Sequence, residues 1–95
     1  MRGRRQTIAA FVDSAFAVRN EMNFYGVLGM TQEASDDAIR ASYYKLVSSL
    51  HPDLHGVEIS ADYREKLIAV FSKVVEAYYT LSDPIRRAQY DMHLE

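Results

Sequence analysis

Hydrophobic residues recur at three- and four-residue spacing in three separate stretches of the chain, and this spacing is typical of amphipathic helices. The apolar positions are Ile8, Phe11, Val12, Ala15 and Phe16 in the first stretch; Ile39, Tyr43, Leu46 and Leu50 in the second; and Leu67, Val70, Phe71, Val74, Ala77, Tyr78 and Leu81 in the third. Each predicted helix therefore has one face to bury. The pattern predicts an all-α fold.

Two serines and one proline mark the bounds of the second and third helices. Ser35 and Ser60 suit helix N-termini, because a serine hydroxyl accepts a hydrogen bond from the first turn. Pro52 disfavours helical backbone for the residue before it, so the second helix should end near residue 50. We expect helices over residues 35–50 and 60–81, packed as an antiparallel hairpin.

Two short helices should flank this hairpin. Before it, Tyr25 and Leu28 point inward from a short helix or turn that Gly29 ends. After it, an aspartate followed by a proline opens a helix over residues 85–91, whose Tyr90 packs back on the core. The expected core consists of Tyr25, Leu28, Ile39, Leu46, Leu50, Phe71, Val74, Tyr78 and Leu81.

Several short motifs accompany these helices, and they are Ala38-Ile39-Arg40, Tyr43-Tyr44-Lys45-Leu46, His51-Pro52-Asp53, Glu76-Ala77-Tyr78 and Leu81-Ser82-Asp83-Pro84. In this order they resemble the J-domain of the DnaJ co-chaperone family over roughly residues 23–91. The resemblance implies a module that binds an ATP-bound chaperone of the DnaK class and stimulates its ATP hydrolysis. It implies no catalysis by the chain itself and no cofactor.

The resemblance also divides the chain. Residues 23–95 would form the J-domain-like unit, and residues 1–22 an extra N-terminal amphipathic helix. This helix either covers the J-domain-like core or ends a linker from an adjoining domain of a longer protein.

The resemblance implies contact with the chaperone for His51, Pro52, Asp53, Arg40, Lys45 and Tyr43. Asp53 is the carboxylate expected to meet an arginine of the chaperone, and the two residues before it hold that carboxylate in place. The cations of the second helix would meet an acidic chaperone surface. Tyr44 is added by spacing, because it lies off the apolar stripe and is free for recognition.

The chain departs from the family in the basic face of its second helix. Where family members often carry further lysine or arginine, this chain has Ala41, Tyr44 and Ser49, which predicts weaker association with an acidic partner. The glycine-phenylalanine-rich segment and zinc-binding cysteines of full-length members are absent. The Tyr-Tyr-Lys-Leu run, the long loop and Ser-Asp-Pro are similar to J-domains embedded in larger bacterial multidomain proteins.

Composition narrows the function classes further. The 95 residues are 48% hydrophobic and 25% charged, which suits one small domain, and no cysteine is present for disulfides or thiolate metal sites. A net charge of −2 argues against a general nucleic-acid binder. Asp13 interrupts the N-terminal apolar run, which is too short to span a bilayer. We expect a cytoplasmic monomer without membrane contact.

Other interpretations use the same residues. His51, Asp53 and His55 could supply three ligands to a zinc-type site, and the first two could serve acid-base catalysis. Two helices joined by a turn, with Arg40 and Lys45 on the earlier of the two, could suit a helix-turn-helix DNA reader. The domain could also be a helical interaction module without chaperone stimulation. Arg86 and Arg87 are interpreted as a solvated face.

Overall fold

The computed structural model describes residues 4–50 and 60–94, with side chains described over 10–50 and 60–94. In these ranges it contains helices and no strand, so the predicted all-α class is confirmed. The helices are α1 (Arg4–Ala17), α2 (Phe24–Val27), α3 (Asp36–Leu50), α4 (Ala61–Leu81) and α5 (Pro84–Leu94).

The longest helix, α4, is the centre of the fold and packs against each of the other four helices. With α3 it forms the predicted antiparallel hairpin, in which the rings of Tyr43 and Tyr78 stack with centroids 4.0 Å apart. The buried core consists of Val12, Tyr25, Leu28, Ile39, Leu50, Leu67, Val70, Val74, Ala77 and Leu81. Every helix except α5 contributes to this buried set, and α2 does so through Tyr25.

Two findings adjust the expected core. Leu46, Phe71 and Tyr78 pack against it but are only partly buried. Val12 of α1 has no exposed surface. Of the two roles expected for the N-terminal helix, covering the core is therefore the one that the packing supports.

Local chemistry fixes the helix starts as the sequence predicts. The side-chain oxygens of Ser35, Ser60 and Asp83 each accept a hydrogen bond from a backbone N–H three residues further on, at 3.1, 3.0 and 2.9 Å. Proline is the first residue of α5, where its missing N–H costs nothing. This last helix continues to Leu94, beyond its expected end at residue 91.

Gly29 ends α2 as predicted, in a left-handed conformation with φ of 71°. The Gly29 N–H donates to the carbonyl of Gly26 at 3.0 Å, and the Met30 N–H donates to the carbonyl of Tyr25 at 2.8 Å. These paired bonds form a Schellman motif, which requires the positive φ that glycine adopts without strain. The motif turns the chain sharply toward α3.

Across the described ranges, the structure has no helix whose length and apolar content would let it cross a membrane.

Candidate partner-binding surface

The outer face of α3 carries three of the residues predicted to contact a partner. Arg40, Tyr44 and Lys45 are all exposed, while the opposite stripe of α3 is buried at Ile39 and Leu50. Burial of that stripe turns the three polar and aromatic side chains to solvent. We refer to Arg40, Tyr44 and Lys45 as the α3 surface.

Two hydroxyl groups hold α3 in this orientation. Ser35 caps its first turn through the N–H of Ala38, and the Ser42 hydroxyl donates a hydrogen bond to the backbone carbonyl of Leu28. The second bond joins the middle of α3 to the residue that caps the C-terminus of α2. Because a rotation of α3 would break it, the α3 surface faces outward on a rigid element.

Three tyrosines meet at the edge of this surface. Tyr43 stacks on Tyr78 of α4 with an interplanar angle of 7°, and Tyr44 stands edge-on to Tyr43 at 5.3 Å. Tyr44 remains 58% exposed. The structure thus places Tyr43 partly in the hairpin interface and Tyr44 mainly in solvent, the positions that their spacing predicts. The edge-on contact with Tyr43 restricts the Tyr44 ring and lowers the entropy cost of its contact with a partner.

The two cations of the α3 surface differ from two lysines of α4 that lie close to carboxylates. Lys66 lies 3.4 Å from Asp13, and Lys73 lies 3.8 Å from Glu76. Within residues 10–50 and 60–94, neither Arg40 nor Lys45 makes an ion pair or hydrogen bond through its side chain. Their donors are therefore available to an anionic partner.

The predicted signature, His51, Pro52 and Asp53, lies outside the described residues, and so does His55 of the zinc interpretation. The structure does describe the helix ends on either side of that segment. Leu50 is buried at the end of α3, and Ser60 caps the start of α4. Among the described side chains, no group of three or more histidine and carboxylate residues is arranged to hold a metal ion.

Comparison with protein families identifies the whole helical unit. The family model of the DnaJ domain matches residues 23–91, a range that includes α2, α3, α4 and the segment with His51-Pro52-Asp53.

This chain belongs to the DnaJ-domain family.

Individual relatives are similar over the same part of the chain. The human protein named DnaJ homolog subfamily B member 14 is 35% identical over 81 residues, which are 85% of this chain and 20% of the relative. The chaperone protein DnaJ of Enterococcus faecalis is 44% identical over 71 residues, and that of Listeria monocytogenes is 45% identical over 71. Each of these matches covers 75% of this chain, and 16% or 17% of the relative. The chain thus spans about a fifth or less of these relatives.

One polar network in this J-domain was not expected from sequence. Arg87 of α5 was interpreted as part of a solvated face, and this interpretation is wrong because its side chain is only 17% exposed. Its guanidinium donates to the Tyr25 hydroxyl at 2.9 Å, to Asp36 at 3.1 Å, and to the carbonyls of Gln32 and Ala34 at 3.1 and 2.7 Å. It joins α5 to α2 and to the segment before α3.

Tyr25 lies at the centre of this network and is 1% exposed. Its hydroxyl donates to Asp91 at 2.5 Å while it accepts from Arg87. Burial, followed by the bond to Asp91, raises the pKa of the Tyr25 phenol, although Arg87 opposes the shift. Burial lowers the pKa of Arg87, but its bond to Tyr25 and the nearby negative charges raise it overall. A buried tyrosine hydroxyl requires a partner, which is the one sequence signal that could have pointed to such a network.

Arg86, beside it, is also partly engaged. Its guanidinium lies 3.8 Å from the ring centroid of Tyr79 and donates to the Tyr79 carbonyl at 2.9 Å. Tyr90 packs inward as predicted, since its ring stacks on Phe24 at 4.7 Å and its hydroxyl accepts the Phe24 N–H at 2.8 Å. These contacts attach α5 to the body of the J-domain without using the α3 surface.

Proposed function

We propose that this chain is a co-chaperone module that binds the ATP-bound form of a DnaK-class chaperone and stimulates its ATP hydrolysis. The observation that carries the proposal is a DnaJ-domain match spanning His51-Pro52-Asp53, together with two exposed cations on α3 that have no partner among the described residues. Residues 1–22 are, on this proposal, an extension packed on the J-domain.

The first step is electrostatic association. Arg40 and Lys45 lie five residues apart on one exposed helix, and an acidic chaperone surface would attract both. Two cations give a limited field, which salt at physiological concentration screens over about 8 Å. Association should therefore be weaker and less dependent on salt than for J-domains with a more basic helix.

The second step is contact at close range. Tyr44 lies between the two cations in sequence and presents a large apolar ring beside them. An aromatic side chain that is already packed against Tyr43 adds apolar contact at low entropic cost. Tyr44 should thus contribute residence time on the chaperone, while the cations contribute the rate of encounter.

The third step assigns the stimulation to the signature. Asp53 follows α3 by three residues, so docking of the α3 surface brings its carboxylate to the same region of the chaperone. An arginine of the chaperone would receive it in a charge-assisted contact. The chain hydrolyses nothing on this proposal, because the ATP is bound and cleaved by the chaperone.

The test is single-turnover ATP hydrolysis by a DnaK-class chaperone, measured with the wild-type chain and with Asp53→Asn. Loss of one partner of a desolvated charge pair typically costs about 2–5 kcal/mol, so stimulation should fall by at least tenfold. The melting temperature should change little, because the substitution removes no apolar core contact.

The matched control is Arg64→Gln, which removes an exposed cation of α4 that is not part of the α3 surface. It should stimulate like the wild-type chain. Full stimulation by a folded Asp53→Asn variant would overturn the proposed function, and so would equal losses in the two variants.

A further inference from the structure

A cavity of about 110 Å³ lies between α1 and the J-domain. Its walls include Phe11 and Ala15 of α1, Leu28 after α2, and Val70 and Val74 of α4. Phe11 is 39% exposed, so the cavity is reached from the surface. Because α1 precedes the residues of the DnaJ-domain match, this cavity is formed jointly by the family's fold and by the additional helix of this chain.

The volume and lining of the cavity determine how large an apolar group it can hold. An apolar cavity of about 150 Å³ in another protein stays dry and binds benzene. A site of about 110 Å³ lined mainly by apolar side chains therefore suits a smaller group, of roughly four or five carbons. Water would gain few hydrogen bonds there, so an apolar chain would displace it readily.

Two cations give the cavity its charge. Arg19 and Lys73 line it, and no residue of its described lining is acidic. Each cation is only partly engaged by the protein. Arg19 donates to the carbonyl of Phe16 at 2.5 Å through one of its five N–H groups, and its guanidinium lies 3.8 Å from the centroid of the Phe16 ring. The Lys73 ammonium lies 3.8 Å from the Glu76 carboxylate, a long distance for an ion pair, and 5.7 Å from the centroid of the Phe24 ring. Neither cation has a close carboxylate partner among the described residues.

We propose that this cavity binds a small monocarboxylate, with an apolar chain of about five carbons between α1 and α4 and its carboxylate held by Arg19 and Lys73. The positive lining selects an anion, and the partial engagement of both cations suits a single negative charge. The cavity residues do not include Arg40, Tyr44 or Lys45, and the proposal does not depend on the chaperone function.

The test is an NMR titration of the whole chain with hexanoate, hexanol and hexylammonium. Hexanoate should give saturable amide shifts at Ala15, Gly26 and Val74, which line the cavity, and none at Met92 of α5. Hexanol should bind more weakly, and hexylammonium should give no saturable shift. Equal binding of all three ligands, or no saturable shift with hexanoate, would overturn the proposal.

Two variants separate charge from volume. Lys73→Gln should weaken hexanoate binding up to about fivefold, whereas Arg64→Gln, on the same helix but outside the cavity, should leave it unchanged. Ala15→Leu places extra carbons in the cavity and should abolish hexanoate binding while the melting temperature is kept or raised. If the folded Ala15→Leu chain binds hexanoate like the wild type, the site is not this cavity. If that variant does not fold, the Lys73→Gln and Arg64→Gln pair still decides.

Discussion

Arginine side chains on α3 and on α5 look alike in sequence and have opposite roles in the structure. Arg87 of α5 directs its donors to four oxygen atoms of the protein, whereas Arg40 of α3 is exposed and has no side-chain partner in the described ranges. A cation whose donors are satisfied internally stabilises the fold, and one whose donors are unused is available to a partner. The surrounding oxygens, and not the residue type, therefore assign the role.

The largest expected effect comes from removing the internal cation. Arg87→Met keeps an apolar stem of similar length but leaves the carbonyls of Gln32 and Ala34 and the Tyr25 hydroxyl without their donor. Hydrogen bonds to charged groups contribute about 1.5–3 kcal/mol, so the free energy of unfolding should fall by about 2–3 kcal/mol. For a domain of this size that lowers the melting temperature by at least about 8 °C. Thermal unfolding followed by circular dichroism measures it.

The matched variant is Arg40→Met, which makes the same chemical change on an exposed helix. Its melting temperature should stay close to that of the wild type, because the described residues include no partner for the lost guanidinium. Similar losses of stability in the two variants would break the contrast between α5 and α3.

A smaller effect is expected from Tyr25→Phe, which keeps the buried ring and removes only its hydroxyl. The variant loses the bonds to Asp91 and Arg87, and its free energy of unfolding should fall by about 1–2 kcal/mol. Chemical denaturation at neutral pH measures this difference.

The stability difference between the wild type and Tyr25→Phe should also depend on pH, in a direction that the pKa shift of Tyr25 determines. Since the pKa of Tyr25 is raised in the folded state, its stabilising contribution is fully present below the ordinary value of about 10 and is lost as pH rises through the folded value. The stability difference between wild type and Tyr25→Phe should therefore shrink above pH 10. A constant difference across that range would contradict the assigned role of the phenol.

The contrast also explains which parts of the molecule are predictable from sequence. The caps at Ser35, Ser60 and Asp83 depend on backbone three residues away, so local chemistry is sufficient. The bond between Arg87 and Tyr25 joins residues 62 positions apart, and it forms only after tertiary packing. The residue type shows that Arg87 is polar, but the spacing along α5 does not show that other segments of the chain supply hydrogen-bond acceptors for it.

The exposed position of the α3 surface could be predicted from the sequence, because it depends only on spacing within one helix. The spacing of Ile39 and Leu50 predicts the buried stripe of α3, and exposure of the remaining positions follows geometrically. Its arrangement relative to Asp53 could not be obtained in this way, because that residue follows a proline outside the helical repeat, and it lies outside the described residues. The role of Asp53 consequently remains a prediction from family resemblance.

The double variant Arg40→Gln, Lys45→Gln tests whether the cations of the α3 surface bind the chaperone. Exposed ion pairs contribute up to about 1 kcal/mol each, so affinity for the chaperone should fall by up to about thirtyfold, with an unchanged melting temperature. The salt dependence of association, followed by stopped-flow fluorescence of a labelled chaperone, should decrease with it. If the variant associates with the same rate and salt dependence, the α3 surface is not the docking site.

The smallest effect is expected from adding a cation to that surface. Tyr44 is one of the positions at which the family resemblance leads us to expect a basic residue, and its ring is 58% exposed. Tyr44→Lys should therefore raise the rate of association with an acidic partner about two- to fivefold at low salt, and high salt should remove the gain. It should also shorten the residence time, because the apolar contact of the ring is lost. A control, Tyr79→Lys, changes an equally exposed tyrosine of α4 that lies outside the α3 surface. A rate that stays unchanged or falls in Tyr44→Lys, or rises equally in both variants, would contradict an acidic surface opposite α3.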